Sequence, residues 1–118
     1  MIRKLPESRD ELLAYEAAGK LSEEENQQVL DELRDAISRH GRVRLFVRLP
    51  EMARPELASL DDRLRFWKDH RHDIDRYAVV ADSRALKVLV KLGALLTRAD
   101  VRHFPLEEEA EAWGWLRS

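Results

Sequence analysis

Residues 77–83 read Tyr77-Ala78-Val79-Val80-Ala81-Asp82-Ser83. The apolar run is short and uninterrupted, with no alternation of polar and apolar residues. A strand covered on both faces reads this way, and such strands belong to parallel sheets. Asp82-Ser83 then caps a helix from Arg84 to about Leu96. Parallel neighbours need crossover helices, so helical patterns are expected on both sides in sequence.

They are there. Leu57, Leu60, Leu64 and Trp67 form an apolar stripe from Pro55 to about His70. Ahead of it, Val43, Leu45 and Val47 alternate with Arg42, Arg44 and Arg48, with Phe46 between them, in a strand ended by Pro50; residues 51–55 read as a loop. Ser22 and Glu25 form a capping box, Glu23-Glu24-Glu25 suit a helix start, and Val29, Leu30, Leu33, Ala36 and Ile37 repeat at three and four before Gly41. At the start of the chain, Ile2–Leu5 and Leu12–Ala18 read as a hairpin across Glu7-Ser8-Arg9-Asp10, closed by Gly19-Lys20. After the apolar run, Val101–Phe104 is a last strand, and Pro105 opens a helix whose Leu106, Ala110, Trp113 and Leu116 share a face.

The order is β-β-α-β-α-β-α-β-α: an α/β fold with a mixed, mostly parallel sheet, an N-terminal hairpin and four helices. The expected sheet core is Leu45, Val47, Tyr77, Val79 and Val101; the expected helical core is Leu30, Leu33, Ile37, Leu60, Leu64, Trp67, Leu89 and Trp113. The 118 residues, 1–118, are the size of a single domain.

Composition narrows the function classes. The net charge of −2 argues against a duplex-DNA binder, and no nucleic-acid partner is expected. The charge is uneven: residues 1–38 carry five basic and ten acidic side chains, residues 39–76 ten and seven. Without cysteine there is no disulfide, thiolate metal site or cysteine nucleophile. No stretch approaches the roughly 20 apolar residues of a membrane span, so no integral membrane segment is expected, and the location is read as cytoplasmic.

The segments Gly19–Leu30 (GKLSEEENQQVL), Gly41–Met52 (GRVRLFVRLPEM), Asp73–Asp82 (DIDRYAVVAD) and Val101–Leu116 (VRHFPLEEEAEAWGWL) resemble the SpoIIAA-like family. Gly19-Lys20-Leu21, Tyr77–Ala81 with Asp82, Val101-Arg102-His103-Phe104 and Trp115-Leu116 carry most of the likeness. The resemblance implies a bacterial protein with the STAS fold, related in shape to anti-sigma-factor antagonists and to CRAL-TRIO lipid-binding domains. It therefore also suggests an apolar ligand. Anti-sigma antagonists carry a phosphorylatable serine after the third strand. Here that loop reads Leu49-Pro50-Glu51-Met52-Ala53-Arg54, without a hydroxyl, so the phospho-switch is not carried over. The Gly-Trp pair and the early third-helix Trp common in the family are also absent.

Two candidate regions follow. Ligands of open α/β sheets bind beyond the carboxyl ends of strands, which nominates Leu49, Glu51, Met52, Asp82, Ser83 and Arg84, although Asp82 and Ser83 have an ordinary capping role as well. The helix after Asp82 has Leu86, Leu89, Val90, Gly93 and Leu96 to cover a sheet, yet Val88, Leu92 and Leu95 make a second apolar flank. That flank is met by Trp113, Trp115 or the chain's own loops, by a second copy in a homodimer, by a lipid or other apolar ligand, or by a membrane surface.

Other constellations are weaker. His70 and His72, beside Asp69 and Asp73, would face different sides of a helix, so no metal site is expected. Arg63, Arg65, Lys68, Arg71 and Arg76 with Phe66 are read as a solvated, ion-paired face, and Trp67 as buried. No glycine-rich phosphate loop, nucleophile elbow or catalytic set is present, and neither catalysis nor a cofactor is expected.

Overall fold

The structure, a computed structural model, describes residues 1–50, 53–55, 65, 66, 68–70, 72–82 and 100–118. The strands are β1 (Ile2–Lys4), β2 (Leu12–Ala17), β3 (Gly19–Leu21), β4 (Val43–Leu49), β5 (Ala53–Pro55), β6 (Ile74–Ala81) and β7 (Asp100–Phe104). The helices are α1 (Glu23–His40) and α2 (Glu109–Arg117), the latter led in by a 3-10 turn at Leu106–Glu108. Residues 65, 66 and 68–70 are also helical. The described residues thus hold three helical regions of the four expected; the fourth, Arg84 to about Leu96, lies outside them.

Five strands form one sheet in the order β1-β2-β4-β6-β7. The β1–β2 pair is antiparallel and the other pairs are parallel. The expected mixed sheet with its hairpin is present. Two short elements depart from the expectation. Gly19-Lys20-Leu21 does more than close the hairpin, and Ala53–Pro55 is not loop: the two pair in parallel as a separate ladder, β3–β5. Three-residue strands carry no periodicity to read, and their pairing depends on where β2 and β4 deliver the chain.

Side chains fall into rows across the strands. On one face run Leu13-Leu45-Tyr77-Val101 and Tyr15-Val47-Val79-His103. Leu13, Tyr15, Val43, Leu45 and Ile74 pack there with Leu30, Leu33 and Ala36 of α1 and with Phe66. Val47, Tyr77 and Val101, expected in the core, are only half-buried, as is Ile37. Phe66, expected on a solvated face, is buried in this core. Trp67, Leu60, Leu64 and Leu89 lie outside the described residues.

On the other face run Leu12-Arg44-Arg76-Asp100, Ala14-Phe46-Ala78-Arg102 and Glu16-Arg48-Val80-Phe104. Here Ala112, Trp113 and Leu116 of α2 cover Leu5, Ala14, Phe46, Ala78 and Val80. Phe46 and Trp113 stack with ring centroids 4.0 Å apart. Arginines flank this apolar middle and hold both ends of α2. Arg44 Nη1 donates to the Leu116 carbonyl (2.6 Å) and Arg76 Nη1 to that of Trp115 (2.5 Å). At the other end Arg48 binds the Glu109 carboxylate through both oxygens (2.9 and 2.8 Å).

Candidate functional site

Leu49, the last residue of β4, is the register mate of Ala81, the last of β6. Leu49 is half-buried, and Asp82, which follows β6, is exposed. These two members of the strand-end set stand at the same end of neighbouring strands. Glu51, Met52, Ser83 and Arg84 lie outside the described residues, as do the candidate interface residues Val88, Leu92 and Leu95.

At this end the parallel ladder breaks. Glu16 pairs with Arg48, and pairing resumes with Gly19 and Ala53. Two residues separate Glu16 from Gly19, but four separate Arg48 from Ala53. The two ladders belong to separate sheets, and the stretch of sequence between Arg48 and Ala53 is two residues longer than that between Glu16 and Gly19.

α1 follows β3 directly. Its first turn is the capping box expected from sequence: Glu25 N–H donates to Ser22 Oγ (3.1 Å) and Ser22 N–H to Glu25 Oε1 (3.1 Å). The second Glu25 oxygen accepts from Ile2 N–H (2.6 Å), which ties the helix start to β1. The backbone donors of Ser22 and Ile2 hold the Glu25 carboxyl below the usual carboxylate range. One residue on, Asn26 is buried, and its Nδ2 has no hydrogen-bond partner. It is the one buried polar or charged residue among the described residues. Sequence reading started the apolar stripe at Val29. Asn26 lies one turn earlier, in line with Leu30 and Leu33, and extending the stripe backwards would have found it.

The opposite face carries a chain of charges that sequence reading missed. Glu16 accepts from Arg48 Nη2 (3.2 Å) and is also bound by Arg3. The Arg3 and Arg48 hydrogen bonds hold its carboxyl low. Glu109 adds a bond from Trp113 Nε1 (3.3 Å). This network is mutually satisfied and serves to dock α2.

On the α1 side, burial raises the Tyr15 hydroxyl pKa, and Glu32 raises it further; the hydroxyl donates to Glu32 Oε2 (3.1 Å). His70 Nδ1 lies 3.0 Å from Asp73 Oδ2, and its ring packs on Phe66. Among the described residues no group of three or more His, Asp or Glu side chains is placed to hold a metal.

A mostly parallel five-stranded sheet, opened by an antiparallel hairpin and covered by a helix on each face, places the chain among small mixed α/β domains. The SpoIIAA-like family model matches residues 12–117, and the chain belongs to that family. It is similar to the crystal structure of an uncharacterised protein of the DUF3478 family with a SpoIIAA-like fold from Shewanella loihica PV-4. The TM-score is 0.75 at 23% identity, over 98% of this chain and 93% of that one. No curated protein matches.

Proposed function

We propose that this chain is a non-catalytic interaction module that self-associates through the second apolar flank of residues 84–96. One observation carries the reading. Among the described residues the one exposed large hydrophobic side chain is Met1. The other large apolar side chains of the described residues are buried or half-buried, and the sequence places a second apolar flank in Val88, Leu92 and Leu95. Symmetric pairing buries such a flank without any ligand. The expected result is a dimer by native mass spectrometry and light scattering. Leu92→Glu then gives a folded monomer with unchanged far-UV circular dichroism; a Leu92→Glu variant that remains dimeric moves the interface elsewhere.

A second reading, a carrier or sensor of a lipid or other small apolar ligand, is favoured by the broken ladder at the carboxyl end together with the unpartnered amide of Asn26. It predicts hydrophobic material that co-purifies with the protein and is released by solvent extraction.

A further inference from the structure

We infer that the amino end of the sheet holds a binding site for a small zwitterion, a molecule that carries an ammonium and a carboxylate close together, with Glu11 and Arg42 as its two charged contacts.

A cavity of about 280 Å³ opens there, lined by Glu11, His40, Arg42, Val43, Arg44 and Asp75. Small-molecule pockets hold roughly 300–1,000 Å³, so this one suits a small occupant. Four elements meet at it. Glu11 directly precedes β2, His40 ends α1, Val43 opens β4 and Asp75 is the second residue of β6. Leu49 and Asp82 stand at the opposite end of the same strands. The backbone around the cavity is fixed: Arg44 N–H donates to the Glu11 carbonyl (2.8 Å) and Val43 N–H to that of Asp73 (2.9 Å).

Regular pairing is interrupted at this cavity. Val43 is the register mate of Ile74 and Arg44 of Arg76, so Asp75 is an extra residue in β6. Bulges are rare in parallel ladders, and they occur where a side chain is re-aimed. Here the re-aimed carboxylate ends between two guanidinium groups. Asp75 Oδ2 is 3.4 Å from Arg44 Nε, and Oδ1 is 3.8 Å from Arg42 Nη1.

These charges are not engaged alike. Arg44 also donates to the carbonyls of Leu116 and Ser118 (2.6 and 3.0 Å), so the fold already uses it. Arg42 is exposed and has only the long contact to Asp75. Among the described residues, neither the Glu11 carboxylate nor the His40 ring has a hydrogen-bond or ion-pair partner.

The class of occupant follows from the balance of charge. Two carboxylates and two guanidinium groups line the cavity, so a lone anion or a lone cation meets repulsion as well as attraction. A zwitterion matches both signs: its ammonium pairs with Glu11 and its carboxylate with the Arg42 fork. His40 adds an N–H donor in either protonation state. Val43 is the one apolar residue of the lining, so charge and not apolar bulk selects the occupant. An α-amino acid with a short side chain has this chemistry.

The test titrates the full chain with L-alanine and with its two halves: propionate, which lacks the ammonium, and ethylamine, which lacks the carboxylate. Backbone amide resonances of Glu11, Arg42 and Asp75 report on the cavity. L-alanine should shift them saturably at millimolar concentration. It should bind about tenfold or more tightly than either half, since each charged contact contributes on that scale. Glu11→Gln and Arg42→Gln alter exposed side chains, so the melting temperature should hold while alanine affinity falls about tenfold or more. The comparison of the three probes uses the wild type alone and does not depend on either variant's folding. Absence of a saturable shift with L-alanine overturns the site. Propionate or ethylamine binding as tightly as L-alanine overturns the zwitterion assignment. Alanine affinity unchanged in both folded variants overturns the roles of Glu11 and Arg42.

Discussion

Phe46 sits in the arginine phase of its strand, between Arg44 and Arg48, where alternation alone would send it to solvent. It is fully buried against Trp113 instead. Phe46→Ala should cost about 3–5 kcal/mol, since the ring is removed from a packed layer; chemical denaturation measures it. The same position shows where the sequence is legible and where it is not. The period-two pattern of β4 and the capping box of α1 are local, and both were readable. Arg44, Arg48 and Arg76 looked like solvent-facing charges because what they bind, the two ends of α2, is supplied from about forty or more residues away. Asn26 was hidden differently, since a lone polar residue at the head of a stripe reads as the stripe's end.

At the scale of elements, α2 is the informative case. A nine-residue helix is too short to stand alone, as isolated helices below about 12–15 residues are marginal in water. Packing on Phe46, Ala78 and Val80 anchors its middle, and guanidinium groups bind the carbonyls of its last turn, where the helix dipole favours a cation. Arg44→Met and Arg76→Met keep the aliphatic stem and remove the donors. Each should cost about 1–2 kcal/mol, near the lower range for a charged hydrogen bond because both sites are partly solvated. Hydrogen exchange should locate the loss: amides of residues 113–118 gain exchange more than those of α1, and an equal gain in both would mean the arginines stabilise the whole fold and not this helix end. The β3–β5 ladder shows the opposite limit of legibility. It depends on the geometry of two longer strands, and nothing within its own three-residue segments announces it.

At the scale of the whole molecule, the titrating groups set how stability depends on pH. Burial lowers the His103 pKa from its ordinary 6.5. Protonation is therefore easier in the unfolded chain, and the stabilisation present above about pH 6.5 is lost as pH falls through the lower folded-state value. Glu16 is lowered by Arg3 and Arg48, and Glu25 by the Ser22 and Ile2 backbone donors. Their contribution is complete above their ordinary 4.5 and is lost as pH falls through the depressed values. All three act in the same direction, so acid should weaken the fold in two stages. Denaturant midpoints at pH 7.5, 5.5 and 3.5 would resolve them. His103→Gln should flatten the change between pH 7.5 and 5.5, and the pair Glu16→Gln with Glu25→Gln the change between pH 5.5 and 3.5. Because Glu16 ties Arg3 and Arg48 together over the far face while Glu25 fixes the start of α1 to β1, the lower stage should release both layers at once. A single cooperative transition at pH 3.5, with shifted midpoint and unchanged slope, is the expected form; a second transition would mean that the α1 layer and the α2 layer come apart separately.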